Sequence, residues 1–86
     1  MSLDADLLKE FETHERVRVI ARLSDEPDHA TAQKRARTYL DYEGISYTPF
    51  TVINAIGFME LTRKQAEALA VKPYVMAVRV SRVDAP

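Results

Sequence analysis

The sequence predicts one small domain of the α+β class, with four strands and two helices in the order β-α-β-β-α-β. Two observations lead to this prediction. Stretches that alternate apolar and charged residues lie near both ends of the chain, and two helical patterns separate the strand-like stretches. With only 86 residues, the chain can bury one compact core and no more.

The first strand is predicted from RVRVIARL, residues 16–23, in which apolar and basic side chains alternate. Because successive side chains of a strand point to opposite faces, the two sets belong to opposite faces of the sheet. The face predicted to point inward carries Val17, Val19, Ala21 and Leu23. The opposite face carries Arg16, Arg18, Ile20 and Arg22.

Two helices are predicted from periodicity and end signals. The first runs from about residue 28 to residue 43, and Gly44 follows it as a C-terminal stop. The second begins with a T-x-x-Q capping box formed by Thr62 and Gln65, and Pro73 ends it. The inward face of the longer helix is predicted to carry Ala32, Ala36, Tyr39 and Leu40.

The other three strands are predicted at YTPFTVI (residues 47–53), FMEL (58–61) and YVMAVRVSRV (74–83), with a turn at NAIG (54–57). Pro49 lacks an N–H donor, so its strand is expected at a sheet edge. The side chains predicted to point inward are Met59, Leu61, Met76, Val78 and Val80.

The chain divides into three segments on this interpretation. Residues 1–15 form an N-terminal segment with a short amphipathic helix in LDADLLKEF, and residues 1–3 are consistent with a cloning remnant. Residues 16–83 form the domain, and residues 84–86 form a C-terminal tail.

The element order predicts the ferredoxin-like split sheet, with both helices on one face and the other face uncovered. Several large apolar groups on one uncovered face indicate an interaction site, unless the N-terminal helix covers them. The apolar residues expected there are Ile20, Ile56, Phe58 and Ala77. They are interspersed with Arg16, Arg18, Arg22, Glu60, Arg79 and Ser81.

Composition excludes several classes of function. The formal net charge is −1, which gives no global reason to bind nucleic acid or acidic membranes, and without cysteine there is no disulfide or thiolate metal site. No apolar run approaches the ~20 residues of a membrane span. His14 and His29 lie far apart in sequence, so no metal site is predicted. No cofactor is expected, and the chain is predicted not to be an enzyme.

The ordered set of motifs resembles the subtilisin propeptide family, also called inhibitor I9 domains. The resemblance covers about residues 16–83 and begins with the strand VRVIARL and the unit INAIGFMELT. The family's L-T-x-x-Q-A-x-x-L helix corresponds to Leu61, Thr62, Gln65, Ala66 and Leu69. Its P-x-V-x-x-V strand entry corresponds to Pro73, Val75 and Val78.

This resemblance implies a ferredoxin-like fold and a function for the uncovered face. In the family, that face packs on two surface helices of a subtilisin-like serine protease, in cis or in trans. The segment after the last strand then enters the substrate cleft, and the domain acts as an intramolecular chaperone and inhibitor. The docking face would comprise Ile20, Ile56, Phe58, Glu60, Ala77, Arg79 and Ser81, and the cleft-inserting tail would comprise Val83, Asp84, Ala85 and Pro86.

The chain departs from the family pattern at the end of the last strand. Family members usually carry acidic residues there, and these cap helix N-termini of the protease. Arg79 and Ser81 occupy those positions here, and a cation facing the positive end of a helix is unfavourable. The cognate protease therefore differs at this contact, or the domain docks differently.

Two other functions use the same fold. In the first, the domain forms a homodimer sheet to sheet, with pairs of the Arg18–Glu60 type across a two-fold axis. In the second, it binds RNA as an RRM-type module, which needs two or three aromatic side chains on the sheet and basic surroundings. Only Phe58 is clearly placed for that role, so we expect no nucleic-acid partner. An excised propeptide would be secreted, whereas a stand-alone inhibitor would be cytoplasmic.

Overall fold

A computed structural model describes residues 3–25, 28–50 and 52–81. The chain forms an α+β fold with three helices and four strands. In chain order these are α1 (Ala5–Phe11), β1 (Arg16–Leu23), α2 (His29–Glu43), β2 (Thr48–Phe50), β3 (Ala55–Thr62), α3 (Arg63–Ala70) and β4 (Val75–Val80).

The four strands form one antiparallel sheet in the order β2-β3-β1-β4. The two central strands are β1 and β3, and each βαβ crossover skips one strand, as in the split sheet predicted from the sequence. The fold class is therefore confirmed, with α1 as an additional element before β1. Pro49 lies on β2 at the edge of the sheet, where its missing N–H costs no interior ladder bond.

One apolar core lies between the sheet and the helices. The inward residues of β1 are all less than 10% exposed, and the predicted alternation of that strand is confirmed. Met59 and Leu61 of β3 are fully buried against Val17 and Val19 of β1, their register partners. From the helices, the core receives Leu7, Ala32, Ala36, Leu40, Ala66, Leu69 and Ala70.

The helix ends follow the predicted signals. Asp28 caps α2 through its carboxylate, which accepts a hydrogen bond of 2.8 Å from the backbone N–H of Thr31. Gly44 ends α2 at φ 72°, in the left-handed region that glycine adopts without strain. Thr62 and Gln65 form both hydrogen bonds of the capping box at the start of α3. These local signals fix where α2 begins and ends and where α3 begins.

Helix α1 packs beside the free edge of β4 and contributes to the main core. Leu7 is fully buried in the same apolar cluster as the inward residues of β1. The backbone N–H of Asp4 lies 3.4 Å from the carbonyl oxygen of Val78, next to that edge. The alternative in which the N-terminal helix covers the outward sheet face is thus not what the structure adopts.

The connection between β2 and β3 differs from the prediction. Strand β2 spans only three residues, and the turn lies at residues 52–54, so β3 already begins at Ala55. The side chain of Asn54 fixes this turn by donating to the carbonyl oxygen of Ser24, at 2.8 Å. Buried Gln33 supports it from α2 by donating to the carbonyl oxygen of Ala55, at 3.1 Å. The predicted turn at residues 54–57 was therefore wrong.

Among the described residues, no helix combines the length and the apolar character needed to cross a membrane.

Candidate functional site

The sheet surface opposite the helices is the candidate site, and we call it the open face. It follows the outward positions of the strand register. Its described residues include Arg16, Arg18, Ile20 and Arg22 of β1, Thr48 and Phe50 of β2, Ala55, Gly57, Phe58, Glu60 and Thr62 of β3, and Ala77 and Arg79 of β4.

Two aromatic rings pack together on the open face. The ring centroids of Phe50 and Phe58 lie 5.6 Å apart with an interplanar angle of 67°, an edge-to-face arrangement. A Cβ atom at Gly57 would stand 2.6 Å from Cε2 of Phe50 and 3.5 Å from Cγ1 of Ile20. Only glycine therefore leaves room for the Phe50 ring at this place. The aromatic pair and Ile20 form a continuous apolar strip across three strands.

The backbone of Phe58 is strained. Its φ of 58° lies in the left-handed region, which costs a residue with a Cβ roughly 1–2 kcal/mol. Phe58 stands in a β-bulge, because Val19 pairs with Met59 while Ala21 pairs with Ile56, so β3 has one extra residue. Strain of this kind clusters at functional sites, and here it aims an aromatic ring outward.

The bulge also reverses a prediction about Ile56. Strict alternation places this side chain on the uncovered face, but Ile56 is fully buried and belongs to the main core. The extra residue shifts the phase of the strand by one position, so Ile56 and Met59 both face inward. Ile56 is therefore not part of the open face, and its assignment to the docking surface was wrong.

The prediction that Met76 points inward was wrong, because β4 also contains a bulge. Arg22 pairs with Ala77 and Leu23 pairs with Val75, which leaves Met76 as the extra residue of β4. Met76 is 56% exposed instead of pointing inward, and Val75 takes the core position. The predictions that Val78 lies in the core and that Ala77 lies on the outward face are confirmed.

Exposed aliphatic groups continue the apolar surface beyond the end of the sheet. Val52 and Ile53 in the turn before β3 are 96% and 55% exposed. They line one hollow together with Met76 and Arg22. A second hollow, lined by Ile53 and Ile20 among others, joins this end to the open face. Aliphatic groups clustered in this way exceed the isolated exposures that are normal on a surface.

The charge of the open face is positive. It carries four arginines and one glutamate in the described part of the chain. Arg18 and Glu60 form an ion pair with an N–O distance of 3.5 Å, and both side chains are more than half exposed. Among the described residues, no acidic partner pairs with Arg22 or Arg79. The face thus presents an apolar strip beside Arg22 and Arg79, which form no ion pair with a described residue.

The other predicted docking residues lie in or after β4. Ser81 continues β4, since its N–H donates a hydrogen bond of 2.9 Å to the carbonyl oxygen of Arg18. The residue is half-buried, and its Oγ is buried with no hydrogen-bond partner among the described residues. Arg79 lies opposite Ile20 on the open face. Residues 82–86, which include the predicted cleft-inserting residues Val83, Asp84, Ala85 and Pro86, lie outside the described residues.

A tyrosine groove on the helix side is the other notable surface feature. It is lined by Tyr39, Tyr42 and Tyr74, and Nζ of Lys72 lies 4.2 Å from the ring centroid of Tyr39. Partial burial raises the pKa of Tyr39 and of Tyr74 above the ordinary tyrosine value. Both rings pack on the main core, which accounts for their placement without a ligand.

Within the described residues, no group of three or more His, Cys, Asp or Glu side chains is arranged to hold a metal ion. His14 is exposed, and its Nδ1 lies 3.6 Å from a carboxylate oxygen of Glu10, one helical turn away.

Sequence reasoning missed Phe50 and Ala55, which complete the open face on β2 and β3. The available signal was Gly57, because a glycine inside a strand pattern marks a bulge or a close approach of another group. Both features occur here, since the Phe50 ring lies over Gly57 and the bulge begins at that residue.

Comparison with known proteins yields no match for this chain, whether to a protein-family model, to a curated protein or to a solved structure.

Proposed function

We propose that this domain binds a subtilisin-like serine protease through its open face and acts as a propeptide-type chaperone or inhibitor. The observation that carries the proposal is the aromatic pair Phe50–Phe58, which packs edge to face on the sheet, with Phe58 in a strained bulge, and is left uncovered by the helices. The motif resemblance over residues 16–83 supplies the class of partner.

The size of the surface suits a docking role. Three strands of six to eight residues and the three-residue β2, about 4.8 Å apart, span a flat area of roughly 400 Å². A standard interface buries about 800 Å² on each partner. The sheet alone falls short of this area, and the exposed aliphatic groups Val52, Ile53 and Met76 extend it on one side. Residues 83–86 are proposed to extend it further, as the segment that enters the substrate cleft.

Binding through such a face accounts for both activities without catalysis by this chain. A partner that binds only the folded protease stabilises it by mass action. If the same contacts already form in the folding transition state, they also accelerate folding. A tail that adds as a strand to the substrate groove blocks the active site, with backbone hydrogen bonds supplying affinity.

The charge of the open face disfavours the homodimer. Stacking two open faces around a two-fold axis would bring the arginines of one copy near those of the other. Like charges opposed across an interface cost several kcal/mol. Glu60, the acidic group that such a dimer would use, already pairs with Arg18 of its own chain.

A second candidate function has a specific observation in its favour. Phe50 and Phe58 provide two aromatic rings on β2 and β3, and four arginines lie beside them on β1 and β4; aromatic rings and basic groups are what single-stranded nucleic-acid binding requires. Against it, the rings pack edge to face on each other instead of presenting parallel stacking surfaces. We therefore rank this function second.

The first experiment is a titration of the domain against a panel of purified subtilisin-like proteases, with a small peptide substrate as the readout. We expect inhibition that fades as the domain is digested. Phe58→Glu should weaken inhibition by about 3 kcal/mol or more, because it buries an unpaired charge in the interface. Tyr42→Glu is the matched control, since Tyr42 is 86% exposed on α2, away from the open face.

Circular dichroism of both variants establishes that the fold is kept. If Phe58→Glu inhibits as well as the unaltered domain, the open face is not the interface. If no protease of the panel is inhibited, the proposed function itself is refuted. Deletion of residues 83–86 should leave a domain that binds the protease without blocking it, and full inhibition by that variant would exclude the tail as the plug.

The nucleic-acid alternative is tested on the same samples by fluorescence anisotropy with labelled oligo(U) and oligo(dT). Binding of these single strands would weaken steeply between 50 and 200 mM salt, by roughly 300-fold when six phosphates are contacted. Binding of this kind, together with no protease inhibition, would make the second candidate the function of the domain.

A further inference from the structure

A small hollow in the open face lies between two arginines. It has a volume of about 120 Å³ and is lined by Ile20, Arg22, Ile53, Ala55, Ala77 and Arg79. Its alanines, Ala55 and Ala77, are the register partners of Arg22 on the two neighbouring strands. The hollow exists because two short side chains flank a long one in the same row of the sheet.

The two arginines are close neighbours of the same charge. Arg79 pairs with Ile20 and Ala77 pairs with Arg22, so the two guanidinium groups belong to adjacent strands in diagonal positions. Diagonal positions on a sheet are about 7–8 Å apart, within reach of long side chains. Neither arginine forms an ion pair with an acidic side chain among the described residues; the nearest described carboxylate by placement is Asp25, which lines the adjoining hollow with both of them.

We propose that this hollow receives a carboxylate side chain, Asp or Glu, that stands beside an apolar patch on the partner protein. Arg22 and Arg79 would bind the carboxylate oxygens, and the aliphatic walls would contact its methylene groups. The inference rests on the proposed function and deepens it, because it specifies the chemistry of the protease surface that meets β4. An acidic group there suits Arg79, the cation that stands where members of the resembled family usually carry an acidic residue.

The dimensions favour a group of this size. A water molecule occupies about 30 Å³ of liquid, so the hollow holds about four waters, the room that a carboxylate with one or two methylene groups needs. Planar guanidinium groups match carboxylate geometry through paired N–H donors. A partner carboxylate would also relieve the repulsion between the arginines on binding.

The surroundings favour a protein over a nucleic-acid phosphate. The surface that continues from this hollow carries the exposed aliphatic side chains Val52, Ile53 and Met76, beside the polar side chains of Asp25 and His29. Aliphatic groups pack on an apolar protein patch, whereas bases need aromatic rings for stacking. The aromatic pair of the open face stands on β2 and β3, on the far side of Ile20 from Arg79.

The test compares Arg22→Glu, Arg79→Glu and Arg35→Glu against the protease of the panel that the unaltered domain inhibits best. Arg35 is exposed on α2, away from the open face, so its variant matches the change in net charge. We expect a loss of at least about 30-fold in affinity for each of the first two variants, the usual result of breaking a buried charge pair. The Arg35 variant should lose less than about 3-fold.

Chemical cross-linking identifies the partner group directly. Arg79→Lys places an amine at the hollow, and a carbodiimide joins amines to carboxylates in contact with them. We expect mass spectrometry of the complex to find position 79 linked to an Asp or Glu of the protease. Arg35→Lys, the control, should give no link to the protease from position 35.

The outcomes separate this inference from the proposed function. Suppose that Phe58→Glu abolishes inhibition while Arg22→Glu and Arg79→Glu behave like the Arg35 control. The proposal that the open face binds the protease is then supported, and the proposal that the hollow receives a carboxylate is refuted. If no protease of the panel binds the unaltered domain, the proposed function and the inference about the hollow are both refuted. If the two arginine variants lose oligonucleotide binding but keep full protease inhibition, the hollow is a phosphate site and the inference is overturned.

Discussion

Replacing Ile56 by alanine tests the bulge that reshapes β3. The side chain is fully buried, and the change removes three carbon atoms, which amounts to about 2.4 kcal/mol of transfer free energy at ~0.8 per carbon. The cavity left behind raises the cost, and Ile→Ala changes in cores cost about 2–5 kcal/mol. We therefore expect Ile56→Ala to lower the free energy of unfolding by about 3–4 kcal/mol.

This loss is large for so small a domain. At about 0.05–0.15 kcal/mol per residue, a chain of 86 residues has a total stability of roughly 4–13 kcal/mol. A loss of 3 kcal/mol lowers the melting temperature by about 12–24 °C in a domain of this size. Urea titration followed by circular dichroism measures the free energy, and a thermal scan measures the shift.

Ile20→Ala is the matched control, because it makes the same chemical change on the half-buried open face. Its expected cost is about 1 kcal/mol, roughly half of the transfer term for a fully buried side chain. The reasoning is refuted if the two variants lose the same small amount, since Ile56 would then lie outside the core, where strict alternation places it.

Three further predictions concern local features. Thr62→Ala should cost about 1 kcal/mol in urea titration, because it removes the oxygen that caps α3, and an unchanged midpoint would mean that the cap carries no stability. Gly57→Ala should cost about 1–3 kcal/mol, because its Cβ displaces the Phe50 ring, and it should weaken protease inhibition as well; a neutral effect on both would contradict the close approach. The hydrogen bond from the N–H of Thr31 lowers the pKa of Asp28, so this carboxylate contributes stability that is complete above its unfolded pKa of about 3.9 and is lost as the pH falls through the lower folded pKa. Asp28→Asn keeps a capping oxygen without that titration, so its stability should fall less steeply in acid; parallel acid curves for the two proteins would contradict this.

The proposed function depends on features that arise at different levels. The apolar strip requires the outward phase of β1, which the sequence pattern contains. The aromatic pair also requires the turn at residues 52–54, which returns β3 beside β2 so that Phe50 lies over Gly57. The carboxylate hollow requires the pairing of β1 with both β3 and β4, which brings two distant alanines beside Arg22.

The sequence by itself determined the class of fold, the order of the elements and the ends of the longer helices. These features depend on local chemistry that a short window of residues contains. The alternation in residues 16–23 predicted the faces of β1, the glycine at position 44 predicted the stop of α2, and the capping box at Thr62 predicted the start of α3.

Only the tertiary structure decided which face Ile56 and Met76 occupy. Strict alternation assumes that every residue has a partner across the ladder. One extra residue moves the side chains that precede it in the strand to the opposite face of the sheet. In β3, full burial of Ile56 stabilises the fold by about 1.5–3 kcal/mol, which offsets the ~1–2 kcal/mol of backbone strain at Phe58. That balance depends on the space between the sheet and the helices, which exists only when the whole chain has folded, so no local pattern could have predicted it.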